Sequence, residues 1–208
     1  MAERIFEDLN DWFEHEDMTP GKRKVLKAAV ELFATQGFDG TSTAQISELS
    51  EMSQGTIFKY FKTKRDLLKA IIEPLVNNLI PNYGQDFITK QVPKDAQFED
   101  LIRFVVRNRL EFMYTNHDVI SIFVNEIMIN DELLAEAKEK LIPVFLHSID
   151  TLQGMFNGIK LEPENFIRLL AGQLLFEFMR VTRFSPAENY DLDEVSAHIA
   201  NLMIAALK

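Results

Sequence analysis

The chain has no cysteine among its 208 residues, which excludes disulfides, thiolate metal sites and a cysteine nucleophile and fits a reducing cytosol. Histidine is scarce. His15, His117, His147 and His198 are scattered, and none has the i, i+4 spacing of a helical metal pair with an acidic partner, so neither a metal ion nor a cofactor is expected. No stretch reaches the roughly 20 apolar residues needed to span a bilayer. The amino terminus, MAERIFEDLNDWFEHED, is acidic and amphipathic, whereas a secretory signal is basic and then apolar. A Gly-rich phosphate loop, a G-x-S-x-G elbow, a paired-carboxylate motif, strand-like alternation and internal repeats are all missing. These absences make catalysis the weaker class and leave an all-α protein, expected in the cytoplasm without a membrane partner.

Positive charge is also in deficit, 22 Lys or Arg against 32 Asp or Glu, which taken alone argues against a nucleic-acid partner. Its distribution reverses that reading. Residues 19–68 carry eight Lys or Arg against five Asp or Glu, while the rest of the chain carries 14 against 27. The cations are gathered where phosphate neutralisation would need them. Hydrophobic residues make up 47%, ample for a core.

The positive region contains TSTAQISELSEMSQGTIFKYFKTKRD, residues 41–66. A helix is expected to start near Thr43, N-capped by Ser42 or Thr41, with Ile46 and Leu49 on one apolar face. After a tight turn at Glu51 and Met52, Ser53 caps a second helix whose apolar stripe is Ile57, Phe58 and Phe61. Its other face carries Gln54, Gly55, Thr56, Lys59 and Tyr60. That helix is about 12 Å long, short enough for a DNA major groove. Thr63 and Asp66 have capping-box spacing, so a third helix begins amid Lys62, Lys64 and Arg65.

The run Gly55 to Leu68, preceded by Gly37-Phe38 and Thr41-Ser42, resembles the DNA-binding signature of TetR-type bacterial transcriptional regulators. The aromatic pair Tyr60-Phe61 followed by Lys62-Thr63-Lys64 carries the likeness more than helix spacing does. Glu51 departs from it, because the family usually has glycine in the turn; a left-handed backbone there would be strained. The resemblance implies an N-terminal three-helix helix-turn-helix domain followed by a larger helical ligand-binding and dimerisation domain. It also implies DNA contacts from Ser42, Thr43, Ser53, Gln54, Gly55, Thr56, Lys59, Tyr60 and Lys64. Gln54 and Lys59 are the candidates for base edges, and Thr43, Tyr60 and Lys64 for phosphates.

Three segments follow: an acidic amphipathic helix over 1–18, the DNA-binding domain over 19–65 and the effector and dimerisation domain over 66–208. In the first, Ile5, Phe6, Leu9, Trp12 and Phe13 form one stripe, and its seven acids against one Arg predict docking on the protein's own surface. Thr19-Pro20 starts the next helix and Gly37 ends it. Lys22, Arg23, Lys24 and Lys27 in its opening turns oppose the helix dipole, which suits either phosphate or a solvated face. A connector helix runs from Lys64 toward Leu79 with a possible kink at Pro74, and residues 81–93 read as a loop. Five more helices are expected near 96–115, 118–130, 131–156, 163–184 and 191–207. Pro143 should bend the third of these, and Gly154 and Gly158 should end it. The helix over 163–184 is apolar around most of its circumference and should be buried on two sides. In the resembling family the last two helices form a four-helix interface in a homodimer, and a twofold dimer would place two reading helices on successive major grooves about 34–36 Å apart.

Met and Phe concentrate on the carboxy-terminal helices, a pattern shared by plain core and by adaptable apolar cavities. The resemblance implies a small hydrophobic effector there, for which the candidate lining is Phe104, Phe112, Phe123, Asn125, Glu126, His147, Gln173 and Phe176. Glu126 interrupts the otherwise uncharged run VISIFVNEIMI. It pairs with an Arg such as Arg107, Arg109 or Arg180, faces solvent, or anchors a cationic or donor-bearing ligand. The main expectation is a sequence-specific regulator of a double-stranded DNA operator, a dimeric repressor released by a small apolar ligand. The alternatives are an all-helical enzyme and a ligand-independent architectural DNA-binding protein.

Overall fold

The computed structural model describes residues 9–81, 97–154, 162–184 and 190–207. All elements among the described residues are helices: α1 Leu9–His15, α2 Pro20–Gln36, α3 Thr43–Ser50, α4 Gln54–Tyr60, α5 Lys64–Pro74, α6 Phe98–Thr115, α7 His117–Ile127, α8 Asp131–Gly154, α9 Pro163–Met179 and α10 Leu192–Leu207. Wider π turns extend α5 over Leu75–Leu79 and α9 over Arg180–Phe184. Ile5 and Phe6, the expected loop beyond Pro81, Met155, Phe156 and Gly158 lie outside the described residues.

By compactness the chain falls into two units, 1–83 with 116–141, and 84–115 with 142–208. The first holds α1 to α5, α7 and the start of α8. Its central helix, α2, begins where the Thr19 side chain accepts from the Lys22 N–H and Pro20 supplies a preset first-turn φ. It ends where Gly37 adopts a φ of 78°, open to glycine without steric cost. Val25, Leu26, Ala28, Ala29 and Phe33 are buried, and α3, α5 and α7 pack around this helix.

Helix α1 docks on α2. Phe13 is wholly buried and Leu9 nearly so, while the Leu9 N–H donates to Asn116 Oδ1 at 3.2 Å, tying the arm to the entry of α7. The Arg23 guanidinium donates to the carbonyls of Phe13 (2.6 Å) and Glu14 (3.2 Å), and Lys27 Nζ donates to Glu14 Oε1 at 2.6 Å. Lys24 pairs with Glu51 at 2.8 Å, and Lys22 Nζ lies 5.7 Å from the centre of the Phe61 ring. The cations of the opening turns of α2 therefore have partners in the protein, a third outcome beside phosphate and solvent.

At Pro74 the helix keeps right-handed φ and ψ, and the next turn closes with the Ile80 N–H donating to Leu75 O, one residue wider than an α-helical bond. A proline has no N–H to give and its ring crowds the preceding turn, so the register loosens where the kink was expected.

In the second unit, α6, α9 and α10 share a core of Phe98, Ile102, Val106, Leu110, Phe166 and Met203, with Ile149 from α8. Helix α9 is not buried on two sides in the single chain: Leu175 and Phe176 are exposed, as are Phe184 and, on α10, Leu202.

Candidate nucleic-acid interface

Each junction of the reading head is fixed by short-range chemistry. Ser42 caps α3 in a reciprocal box with Gln45: the Gln45 N–H donates to Ser42 Oγ at 3.2 Å, and the Ser42 N–H donates to Gln45 Oε1 at 2.8 Å. Gln45 Nε2 then donates to Gln36 Oε1, linking α3 to the end of α2. The Ser-x-x-Gln spacing is the sequence signature of this box. Between α3 and α4 the chain turns through Glu51, whose φ of 58° and ψ of 23° are the left-handed conformation foreseen where the family carries glycine. Ser53 Oγ accepts from the Thr56 N–H and shares a hydrogen bond with Thr56 Oγ1, capping α4. A second capping box, Thr63 with Asp66, opens α5.

Ile57 and Phe61, four apart, bury α4. Phe58, expected in that stripe, is 46% exposed, and Leu49 on α3 is 44% exposed. In helices this short one or two buried side chains complete the contact, and a residue about 100° away around the axis already faces out.

On the outward side Gln54, Gly55 and Lys59 are exposed, with Ser42 and Ser53 at the helix entries. Thr43, Thr56 and Tyr60 are half-buried. The Tyr60 hydroxyl accepts from Thr19 Oγ1 at 3.1 Å, so the start of α2 braces the end of α4. A Cβ at Gly21 would stand 2.9 Å from that hydroxyl, which keeps this approach open only to glycine without a shift.

Lys64, expected on a phosphate, has partners within the protein. Its ammonium donates to Phe38 O at 2.6 Å and Thr41 O at 2.8 Å and lies 4.3 Å from the Phe38 ring centre. All of this makes it a clamp holding the α2–α3 loop to α5. Gln54 and Lys59 are instead the exposed polar side chains of α4 that make no side-chain hydrogen bond among the described residues.

The candidate effector residues divide between the two units. Phe123, Asn125 and Glu126 belong to the first unit; Phe104, Phe112, His147, Gln173 and Phe176 belong to the second. Phe112 is buried and Phe104, Phe123 and Gln173 are half-buried, whereas Asn125, His147 and Phe176 are exposed. Glu126 is 4% exposed and lines a cleft of about 290 Å³ with Phe38, Asp39 and Arg65. Burial, then the charge of Asp39, raise its pKa against the opposing pull of Arg65 and Lys64. Arg107 pairs instead with Asp193 and Glu111, and Arg180 holds Glu177 through two hydrogen bonds.

A short, polar, outward-facing helix braced on two others by caps and a buried aromatic defines a helix-turn-helix DNA-binding protein. Residues 25–71 match the family described as bacterial regulatory proteins, tetR family. The chain is 22% identical to the fatty acid metabolism regulator protein of Bacillus subtilis over 194 residues, covering 90% of this chain and 96% of that one. It is 43% identical to the regulator QacR of Staphylococcus aureus over 51 residues, 24% of this chain and 27% of that one. Among solved structures, the fatty acid degradation regulator FadR of Bacillus halodurans superposes with a TM-score of 0.71 at 18% identity, covering 93% of this chain and 99% of that one. FadR of Bacillus subtilis, solved in complex with stearoyl-CoA, gives 0.62 at 18% identity, covering 89% and 98%. Residues 25–71 are thus a TetR-type DNA-binding region, and the curated relatives that the chain matches over most of its length are regulators rather than enzymes. No helix among the described residues is long and apolar enough to cross a membrane.

Proposed function

We propose that the protein is a homodimeric repressor, acting in the cytoplasm, that leaves a double-stranded operator when a small apolar effector binds. The observation that carries the dimer is the exposed apolar surface of the last two helices: Phe176 is 58% exposed, Phe184 65% and Leu202 48%. Side chains of that size, repeated on adjacent elements of one unit, mark a contact surface. In this reading residues 19–65 are the DNA-binding domain and 66–208 serve the effector and the dimer. Gln54 and Lys59 read base edges, Thr43 and Tyr60 meet phosphates, and Lys64 acts through the fold. Phe104 and Phe112 remain candidates for the apolar lining and Gln173 for a polar contact beside them. Relatives named for fatty acid metabolism, and a fold neighbour holding stearoyl-CoA, make long-chain acyl compounds the first effectors to try.

Fluorescence anisotropy on DNA from beside the gene, with and without acyl-CoAs, tests the reading alongside light scattering. Operator release at micromolar ligand by a dimer supports it. A monomer bound to DNA, or a complex that no apolar ligand disturbs, overturns it.

A further inference from the structure

The cleft beside Glu126 has a composition that capping and packing do not account for. Asp131 and Glu132 open α8, where carboxylates favour a helix N-terminus, and they need no other explanation. Glu126 does. It ends an apolar helix, is 96% removed from solvent by its 4% exposure, and its carboxylate makes no hydrogen bond or ion pair among the described residues. Although the residue as a whole is buried, its carboxylate opens into the cleft, where desolvation and the charge of Asp39 disfavour ionisation and the charges of Arg65 and Lys64 offset them only in part. The cleft it opens into brings four carboxylates, Asp39, Glu126, Asp131 and Glu132, against one cation, Arg65. Two apolar surfaces flank them, the Phe38 ring and Ile129, the latter 71% exposed.

From this arrangement we propose that the cleft is a binding site for an organic cation, an amine or amidine with a short apolar body, whose charge Glu126 receives. No group of three acidic or histidine side chains among the described residues is arranged to share a metal ion, so an extended cation suits the spread carboxylates better than a bare ion does. The size and sign of the cleft also separate it from an acyl-CoA. About 290 Å³ lies at the small end of ligand pockets, and an anionic lining repels a polyphosphate. The site has a direct structural route to the reading head inside the same compact unit. Phe38 and Asp39 are in the α2–α3 loop that Lys64 clamps, and Arg65 is the second residue of α5. A cation seated there would join that loop to the end of α7. The binding claim stands on the cleft alone; its effect on DNA rests on the effector reading above.

Calorimetry with 4-phenylbutylammonium and its neutral counterpart 4-phenyl-1-butanol tests the proposal on the full chain without DNA. The cation should bind at least about tenfold more tightly than the alcohol, and Glu126→Gln should bring the two within about twofold. An Asp39→Asn, Asp131→Asn double variant, altered only at exposed positions, should lose about threefold or more in cation affinity, and it carries the test should Glu126→Gln misfold. No preference for the cation in the parent protein, or undiminished preference in the folded variants, overturns the site. Operator affinity with the cation is the separate arm: binding that leaves DNA affinity unchanged keeps the site and rejects it as an effector input.

Discussion

Lys64 and Lys59 carry the same charge on neighbouring helices and should answer mutation differently. Lys64 spends its donors on two carbonyls of the α2–α3 loop, and charge-assisted hydrogen bonds contribute about 1.5–3 kcal/mol each in partly buried sites. Lys64→Ala should therefore lower stability to urea by roughly that amount and weaken DNA binding through the loop. Lys59→Ala should leave the urea midpoint unchanged, cost about 1–3 kcal/mol of operator affinity and relax the preference at one base position. Equal stability of the two variants would show that Lys64 is no clamp. Glu126 makes a pH-dependent case. Its pKa is raised in the fold, so the native state takes up its proton more readily than the unfolded chain does. The penalty of the ionised form is absent below the ordinary carboxylate value, grows through the interval up to the raised value, and is complete above it. Glu126→Gln should thus stabilise the protein at pH 8 and lose that advantage as pH falls toward 4, a difference that paired thermal melts read directly.

At the scale of elements, the short helices depend on what braces them. The α3–α4 turn holds Glu51 in a left-handed conformation that costs a side chain about 1–2 kcal/mol. Glycine has no such cost, and the Lys24 ion pair it would remove is exposed, so Glu51→Gly should raise Tm by about 2–4 °C. A fall in Tm would mean that the ion pair outweighs the backbone. Helix α1 is held by Phe13, and deleting a buried phenyl ring costs about 3–5 kcal/mol. Phe13→Ala should lower overall stability by that order if the arm is part of the cooperative unit. A local loss alone, seen as faster hydrogen exchange in α1 with an unchanged global transition, would show that the arm unfolds separately.

For the whole molecule, the proposed dimer places its contact on the exposed apolar residues of α9 and α10. A carboxylate introduced at Leu202 would be buried without a partner in a dimer interface, a cost of several kcal/mol, yet in the free chain that position is half in water. Leu202→Asp should therefore give a folded monomer with weak operator binding. A stable dimer of native DNA affinity in sedimentation would place the interface elsewhere.

Sequence by itself determined the all-helical class and the reading head, because helix starts and stops are local. Ser42, Ser53, Thr63 and Thr19 accept from N–H groups three residues ahead, and Gly37 takes the φ that ends α2. The strained turn at Glu51 was legible for the same reason. Tertiary structure alone decided which exposed residues remain available. Lys64 meets carbonyls 26 and 23 positions away, Tyr60 meets Thr19 across 41, and Glu126 comes to lie beside Asp39 and Arg65. Periodicity placed Leu49 and Phe58 on apolar faces that the packing leaves open. A helical repeat fixes the direction of a side chain around its own axis, whereas burial and partnership depend on which other helix arrives there, and that is settled only by packing the whole chain.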